Sequence, residues 1–99
     1  MTTSTELAPR AFHYTMTLFV TGATRLSLAA IANVRAFCEE ELTDCYELEV
    51  VDLYRTPERA KSAQVIAAPT LLRIKPKPCR RVVGDMSNRD KLRAAVKAG

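Results

Sequence analysis

From Tyr14 to Val20 apolar and polar positions alternate, with Met16, Leu18 and Val20 on one side and Thr15, Thr17 and Phe19 on the other. A period of two with β-branched content predicts a strand. Gly22 breaks the alternation, and Thr24 or Ser27 then offers a side-chain oxygen to the unpaired amides of a helix start. Leu28, Ile31, Val34, Cys38 and Leu42 recur at steps of three and four, which predicts a helix with one buried stripe. Glu39, Glu40 and Glu41 fall mostly off that stripe and sit near the negative end of the helix, where acids are unfavourable. Tyr46 to Leu53 predicts a second strand, with Leu48 and Val50 facing one way and Val51 and Leu53 continuing on opposite faces.

Thr56-Pro57-Glu58 is a helix start: a cap, proline at the first helical position, then an acid. That helix is short, because the residue before Pro69 avoids helical geometry. Thr70 to Lys75 predicts a third strand, Pro76-Lys77-Pro78 turns the chain, and Cys79 to Val83 returns as a fourth. So short a connection requires antiparallel pairing. Ser87-Asn88-Arg89-Asp90 has capping-box spacing with Asp in place of the usual Glu. It opens a last helix that runs to about Ala98 with Leu92, Ala95 and Val96 inward. The expected architecture is α/β, β-α-β-α-β-β-α with a single mixed sheet and a right-handed first crossover. Residues 1–12 are expected to be a flexible tail and residues 13–99 one domain.

With 99 residues, 47% of them hydrophobic, the chain can build a modest core without disulfide staples. No apolar run approaches the roughly 20 residues of a membrane span, and the first residues lack the charged-then-apolar order of a signal peptide. A cytoplasmic location is therefore expected, with no membrane partner. The net charge of +4 hides a split. Residues 1–54 hold three basic and eight acidic residues, a charge of −5; residues 55–99 hold twelve and three, a charge of +9. Nucleic acid or an acidic protein surface would suit such a half. No aromatic residue lies in the basic run from Arg73 to Arg81, which argues against a single-strand stacking platform. A solvated basic face is the plainer reading.

Candidate chemistry is sparse. Cys38, Cys45 and Cys79 are odd in number and widely spaced, unlike a disulfide framework or a zinc site. Cys38 falls on the apolar face of the first helix, where a cysteine packs as a small hydrophobe. His13 is the chain's one histidine and leaves no second base to pair with a nucleophile. Asp52 and Asp85 both close strands, where turn capping is their ordinary work. No Gly-rich phosphate loop is present. Neither a metal, a cofactor nor an enzymatic activity is expected.

Two stretches carry a resemblance. Ala68-Pro69-Thr70 opens a strand where thioredoxin-like domains place their cis-proline, while Thr21-Gly22-Ala23-Thr24 stands where the redox members carry Cys-x-x-Cys. The chain thus resembles a thioredoxin-type scaffold with its chemistry removed. From about His13 to Lys97 it also resembles the KaiB family of circadian-clock components. Leu18-Phe-Val-Thr-Gly-Ala-Thr24 is similar to the family's L-Y-V-A-G-N-T, and Tyr46-Glu-Leu-Glu-Val-Val-Asp52 to Y-x-L-x-V-I-D. Ala67-Ala-Pro-Thr-Leu71 is similar to A-T-P-T-L, and Pro76-Lys-Pro-Cys-Arg-Arg-Val-Val-Gly-Asp-Met-Ser87 to P-x-P-x-R-R-I-I-G-D-L-S. The four blocks fall in register without gaps.

That resemblance implies a non-enzymatic protein that binds the ring of KaiC, a hexameric ATPase, and then captures KaiA or competes with the sensor domain of a histidine kinase. It also implies two folds: a thioredoxin-like binding form, and a tetrameric ground state ordered β-α-β-β-α-α-β, so self-association stays open. The chain departs from clock members at the short helix, acidic there but Ala60-Lys61-Ser62-Ala63-Gln64 here. Where switching members carry Gly and Asp in the last helix, this chain has Ala95 and Lys97, which should favour the thioredoxin-like form. The resemblance points to Glu58, Lys61, Ser62 and Gln64 as partner-binding residues, with Arg80 and Arg81 as an outlying pair. Pro69, Ala95 and Lys97 are expected to set the fold state. A thioredoxin-like redox protein and a nucleic-acid binder using the basic half are the competing classes.

Overall fold

The computed structural model describes residues 14–43, 45–63 and 69–97. Its elements are β1 (Tyr14–Val20), α1 (Arg25–Glu41), β2 (Tyr46–Asp52), α2 (Glu58–Ala63), β3 (Thr70–Lys75), β4 (Arg80–Val83) and α3 (Arg89–Val96), in the expected β-α-β-α-β-β-α order. Four expectations lie outside the described residues: the tail 1–12, His13 as the domain's first residue, Gln64, and the geometry of the Ala68–Pro69 bond. The strands form one mixed sheet in the order β2-β1-β3-β4. β1 runs parallel to β2, from Tyr14 opposite Tyr46 to Val20 opposite Asp52. The β1–β3 and β3–β4 pairs are antiparallel, as the short Pro76–Cys79 connection requires.

β1 is central and buried on both faces. Met16, Leu18 and Val20 join Leu71 and Val82 under Val34, Phe37 and Cys38 of α1, its cap Leu42, and Leu92 and Val96 of α3. Phe19 points the other way and packs with Val51, Leu72 and Leu53. Burying each such large apolar side chain contributes about 1.5–3 kcal/mol, so both clusters stabilise the sheet. Arg59 of α2 is held at this second face by a bidentate pair with Glu49, at 3.0 and 3.2 Å, since Glu49 shares strand parity with Val51.

Three expectations need correction. The buried stripe of α1 is Ser27, Ala30, Val34, Phe37 and Cys38, and Leu28 is 55% exposed. The helix is turned because Ser27 is tied into the preceding loop: its amide donates to Thr24 Oγ1 at 3.1 Å, and its hydroxyl accepts from the Thr21 amide at 3.2 Å. The cap of α3 is Asn88, one residue later than Ser87, and its side chain accepts from the Lys91 amide at 3.0 Å. Ser87 is occupied otherwise, its amide donating to Asp85 Oδ1 at 3.0 Å. α3 closes at Lys97, whose amide donates to the Arg93 carbonyl at 2.9 Å.

The third correction concerns the basic run. Arg73 is not solvated: it is 1% exposed, on the face of β3 that α3 covers. Its guanidinium donates to the Val96 carbonyl at 2.9 Å and to the Pro78 carbonyl at 2.7 Å. It therefore satisfies an acceptor in the last turn of α3, one of the carbonyls a helix end leaves without an intrahelical donor. The same side chain fixes the β3–β4 turn.

The acidic end of α1 is compensated from 50 residues away in sequence. Arg93 clasps Glu41 at 2.7 and 2.9 Å, Arg89 meets Glu40 at 3.0 Å, and Lys97 stands 3.8 Å from Glu41. The Arg93 hydrogen bond holds the Glu41 carboxyl below its ordinary pKa, aided by the charges of Arg93, Lys97 and Arg89. α3 is thus held by apolar burial, by Arg73 beneath it and by an ion network beside it.

Candidate protein-docking surface

The loop after β1 is where a thioredoxin-type protein would carry its thiols. Here Thr24 is the cap of α1, and Gly22 takes a left-handed φ of 67°. A Cβ on Gly22 would stand 3.1 Å from the Tyr54 ring, which is exposed and can give way, so it is the backbone that calls for glycine. Asp52 joins this loop to the one after β2, with Oδ1 accepting from the amides of Tyr54 at 2.9 Å and Gly22 at 3.0 Å. Those two amides hold its carboxyl below the usual range. Asp52 and Asp85 are thus turn-capping residues, as their positions at strand ends suggested.

The cysteines do not assemble. Cys38 is buried and burial pushes its thiol up to about 12, so it stays protonated at neutral pH. Cys45 is half-buried and donates to the Leu42 carbonyl at 3.3 Å, while Cys79 is exposed in the β3–β4 turn. We expect no thiol–disulfide turnover in an insulin-reduction assay. Turnover that vanished on Cys38→Ser, Cys45→Ser or Cys79→Ser would restore the redox reading.

The side chains expected to meet a partner are placed as follows. Glu58, Lys61 and Ser62 are exposed on α2 at spacings of three and four, which puts them on one side of the helix. Arg59, between them in sequence, points instead to β2 through Glu49. Arg80 and Arg81 are exposed on β4, opposite Arg73 and Leu72. Because β4 and β2 are opposite edges of the sheet, the arginine pair and the Glu49-clasped start of α2 do not form one patch. Of the fold-state residues, Pro69 is buried and its carbonyl accepts from the Gly84 amide at 3.0 Å; Ala95 packs partly buried in α3; Lys97 closes that helix beside Glu41. Among the described residues, no helix is long and apolar enough to cross a membrane.

Comparison with solved structures agrees with the topology. The N-terminal domain of Synechococcus elongatus SasA superposes with a TM-score of 0.70 at 18% identity, covering 92% of this chain and 91% of that one. Fasciola hepatica thioredoxin gives 0.66 at 26% identity, covering 82% and 75%. The fold is thioredoxin-like. In sequence, the circadian clock protein KaiB3 of Synechocystis sp. is 40% identical over 75 residues, which is 76% of this chain and 74% of that protein. The circadian clock oscillator protein KaiB of Thermostichus vulcanus is 36% identical over 86 residues, 87% of this chain and 80% of its own length. The KaiB domain model matches residues 17–97. By that match across most of its length, and by these relatives, the chain belongs to the KaiB family.

Proposed function

We propose that this chain regulates a hexameric KaiC-like ATPase by docking on its ring through a surface that includes α2, in circadian timing or a related signalling or stress response. The KaiB family acts without catalysis, and its relatives here are clock proteins, so the work is done by binding protein partners. The observation that carries the reading is the exposed, charged side of α2, formed by Glu58, Lys61 and Ser62 on a family scaffold whose thiol positions are threonines. Gln64 extends the proposed surface in sequence. Arg80 and Arg81, on the far edge, fit a second contact, such as KaiA or the sensor domain of a histidine kinase. A cytoplasmic location goes with this reading.

The test is affinity for the purified KaiC-like ATPase ring of the source organism. Lys61→Glu should weaken binding about three- to tenfold, the scale of a surface charge at an interface rim, with a matching loss of salt dependence. The same change restores the acidic character of clock members and should improve binding to a cyanobacterial ring. If Glu58→Lys and Lys61→Glu both left affinity for the native ring unchanged, α2 would not be the contact.

A further inference from the structure

We propose that the edge of β4 takes up an acidic, extended segment of a partner protein as an added strand; this rests on the second contact proposed above, at Arg80 and Arg81, and not on α2. No acid occurs between Glu58 and Asp85, a stretch that holds the whole β3–β4 hairpin. Lys75, Lys77, Arg80 and Arg81 are exposed along it, and the first three form no salt bridge among the described residues. The carboxylates that follow the hairpin in the chain are already committed: Asp85 accepts from the Ser87 amide at 3.0 Å and Asp90 from Arg93 at 3.0 Å. The acids of the sheet, Glu47, Glu49 and Asp52, lie on β2 at its opposite edge. One sign of charge therefore faces solvent along this hairpin, and a partner's carboxylates complement it.

The backbone sets how that partner docks. β4 is the last strand of the sheet among the described residues. Hydrogen-bonded pairs alternate with non-bonded ones along an antiparallel ladder. The Gly84 amide donates to the Pro69 carbonyl at 3.0 Å, so the next pair, Thr70 with Val83, is a non-bonded one. Val83 thus turns its N–H and C=O away from β3, towards the edge. Its side chain is 47% exposed on the face turned away from α3, and Ile74 of β3, 41% exposed, lies on that face too. An incoming strand meets cations beside two exposed β-branched side chains, so the segment that complements it alternates acidic and apolar residues. β4 has four residues, about 13 Å of edge, which a segment of similar length covers. Cations on an edge strand repel a second copy, because β4 against β4 would set arginine against arginine. Nucleic acid is the poorer match: no aromatic from Arg73 to Arg81 stacks on a base, and phosphates leave Ile74 and Val83 uncovered.

The experiment titrates a synthetic peptide of alternating glutamate and valine into the full chain and follows amide NMR, with thermal melts confirming that each variant is folded. Shifts and slowed exchange at Val83 are expected, with an affinity that falls as salt rises. Arg80→Glu should weaken binding about tenfold, the effect of turning a charge-assisted contact into a repulsion. Val83→Pro should weaken it about fivefold with every charge retained, since proline removes an outward N–H that no bond to β3 uses. Lys61→Glu, on α2, should leave it within about twofold of wild type, so failure at this edge and failure of the ring contact are separate results. Full affinity in Val83→Pro, or equal affinity for the peptide with lysine in place of glutamate, overturns strand addition. A duplex oligonucleotide that binds more tightly and shifts the same amides would assign the edge to nucleic acid and overturn the proposal. So would a mass in light scattering that grows with concentration and drops on Arg80→Glu, which would assign the edge to a second copy of this chain.

Discussion

Arg73→Leu should cost about 3 kcal/mol of folding free energy and loosen α3 from the sheet. Leucine makes the side chain apolar at a site that is 1% exposed, so burial alone would favour it. Among what it loses are two hydrogen bonds from a charged donor, at 2.9 Å to the Val96 carbonyl and 2.7 Å to the Pro78 carbonyl. Hydrogen bonds to charged groups contribute about 1.5–3 kcal/mol each, and an acceptor stranded in the interior costs a further 1–3 kcal/mol. Against this stands the desolvation of a buried guanidinium, which leucine avoids. The acceptors decide the balance, because Val96 ends a helix and its carbonyl has no intrahelical donor. Arg73→Lys should be milder, since an ammonium on a flexible stem lacks the fork that reaches both carbonyls at once. Urea unfolding with amide exchange on α3 reads both effects. A loss below about 0.5 kcal/mol in Arg73→Leu, the scatter of ordinary surface changes, would mean that the two carbonyls find other donors.

The elements themselves were legible because strand and helix periods are local. Alternation placed β1, and Thr70–Lys75 was bounded by a proline on either side, Pro69 and Pro76, so its ends could be read directly. The first helix was found but rotated. A strong run of leucine and isoleucine suggested its inner face, whereas the side-chain bonds of Ser27 to the preceding loop set the actual one. The α3 cap moved one residue because Asn88 and Ser87 are both good caps, and Asp85 competes for the Ser87 amide. Arg73 carries a signal of its own: it shares strand parity with Leu71, so a charge there is aimed at the core. Grouping it with Lys75, Lys77, Arg80 and Arg81 as one basic run hid that parity. The Glu41–Arg93 clasp joins segments far apart in sequence, and no local pattern points to it. For the proposed docking surface, sequence resemblance supplied α2; its exposed side and the inward turn of Arg59 are visible only in the folded structure.

Ala95→Gly with Lys97→Asp should shift this chain from its thioredoxin-like form toward the alternative arrangement of its C-terminal half. Glycine in a helix interior costs about 1 kcal/mol relative to alanine, and Ala95 lies within α3, where it also packs partly buried against the core. A cation in the last turn contributes about 0.3–1 kcal/mol through the helix dipole, and an aspartate there reverses the sign. Position 97 has a second role: its ammonium stands 3.8 Å from Glu41, so aspartate would bring a carboxylate up to a carboxylate and oppose the clasp made by Arg93. Two arrangements of one sequence can differ by only a few kcal/mol, so changes of this combined size are enough to populate the second one. Amide NMR of the double variant should show a second set of resonances, or loss of helical shifts across residues 89–96, with a mass in light scattering that grows with concentration. A single set of resonances with α3 intact and an unchanged mass would show that Arg73 and the apolar contacts of Leu92 and Val96 hold the thioredoxin-like form without help from the end of the helix.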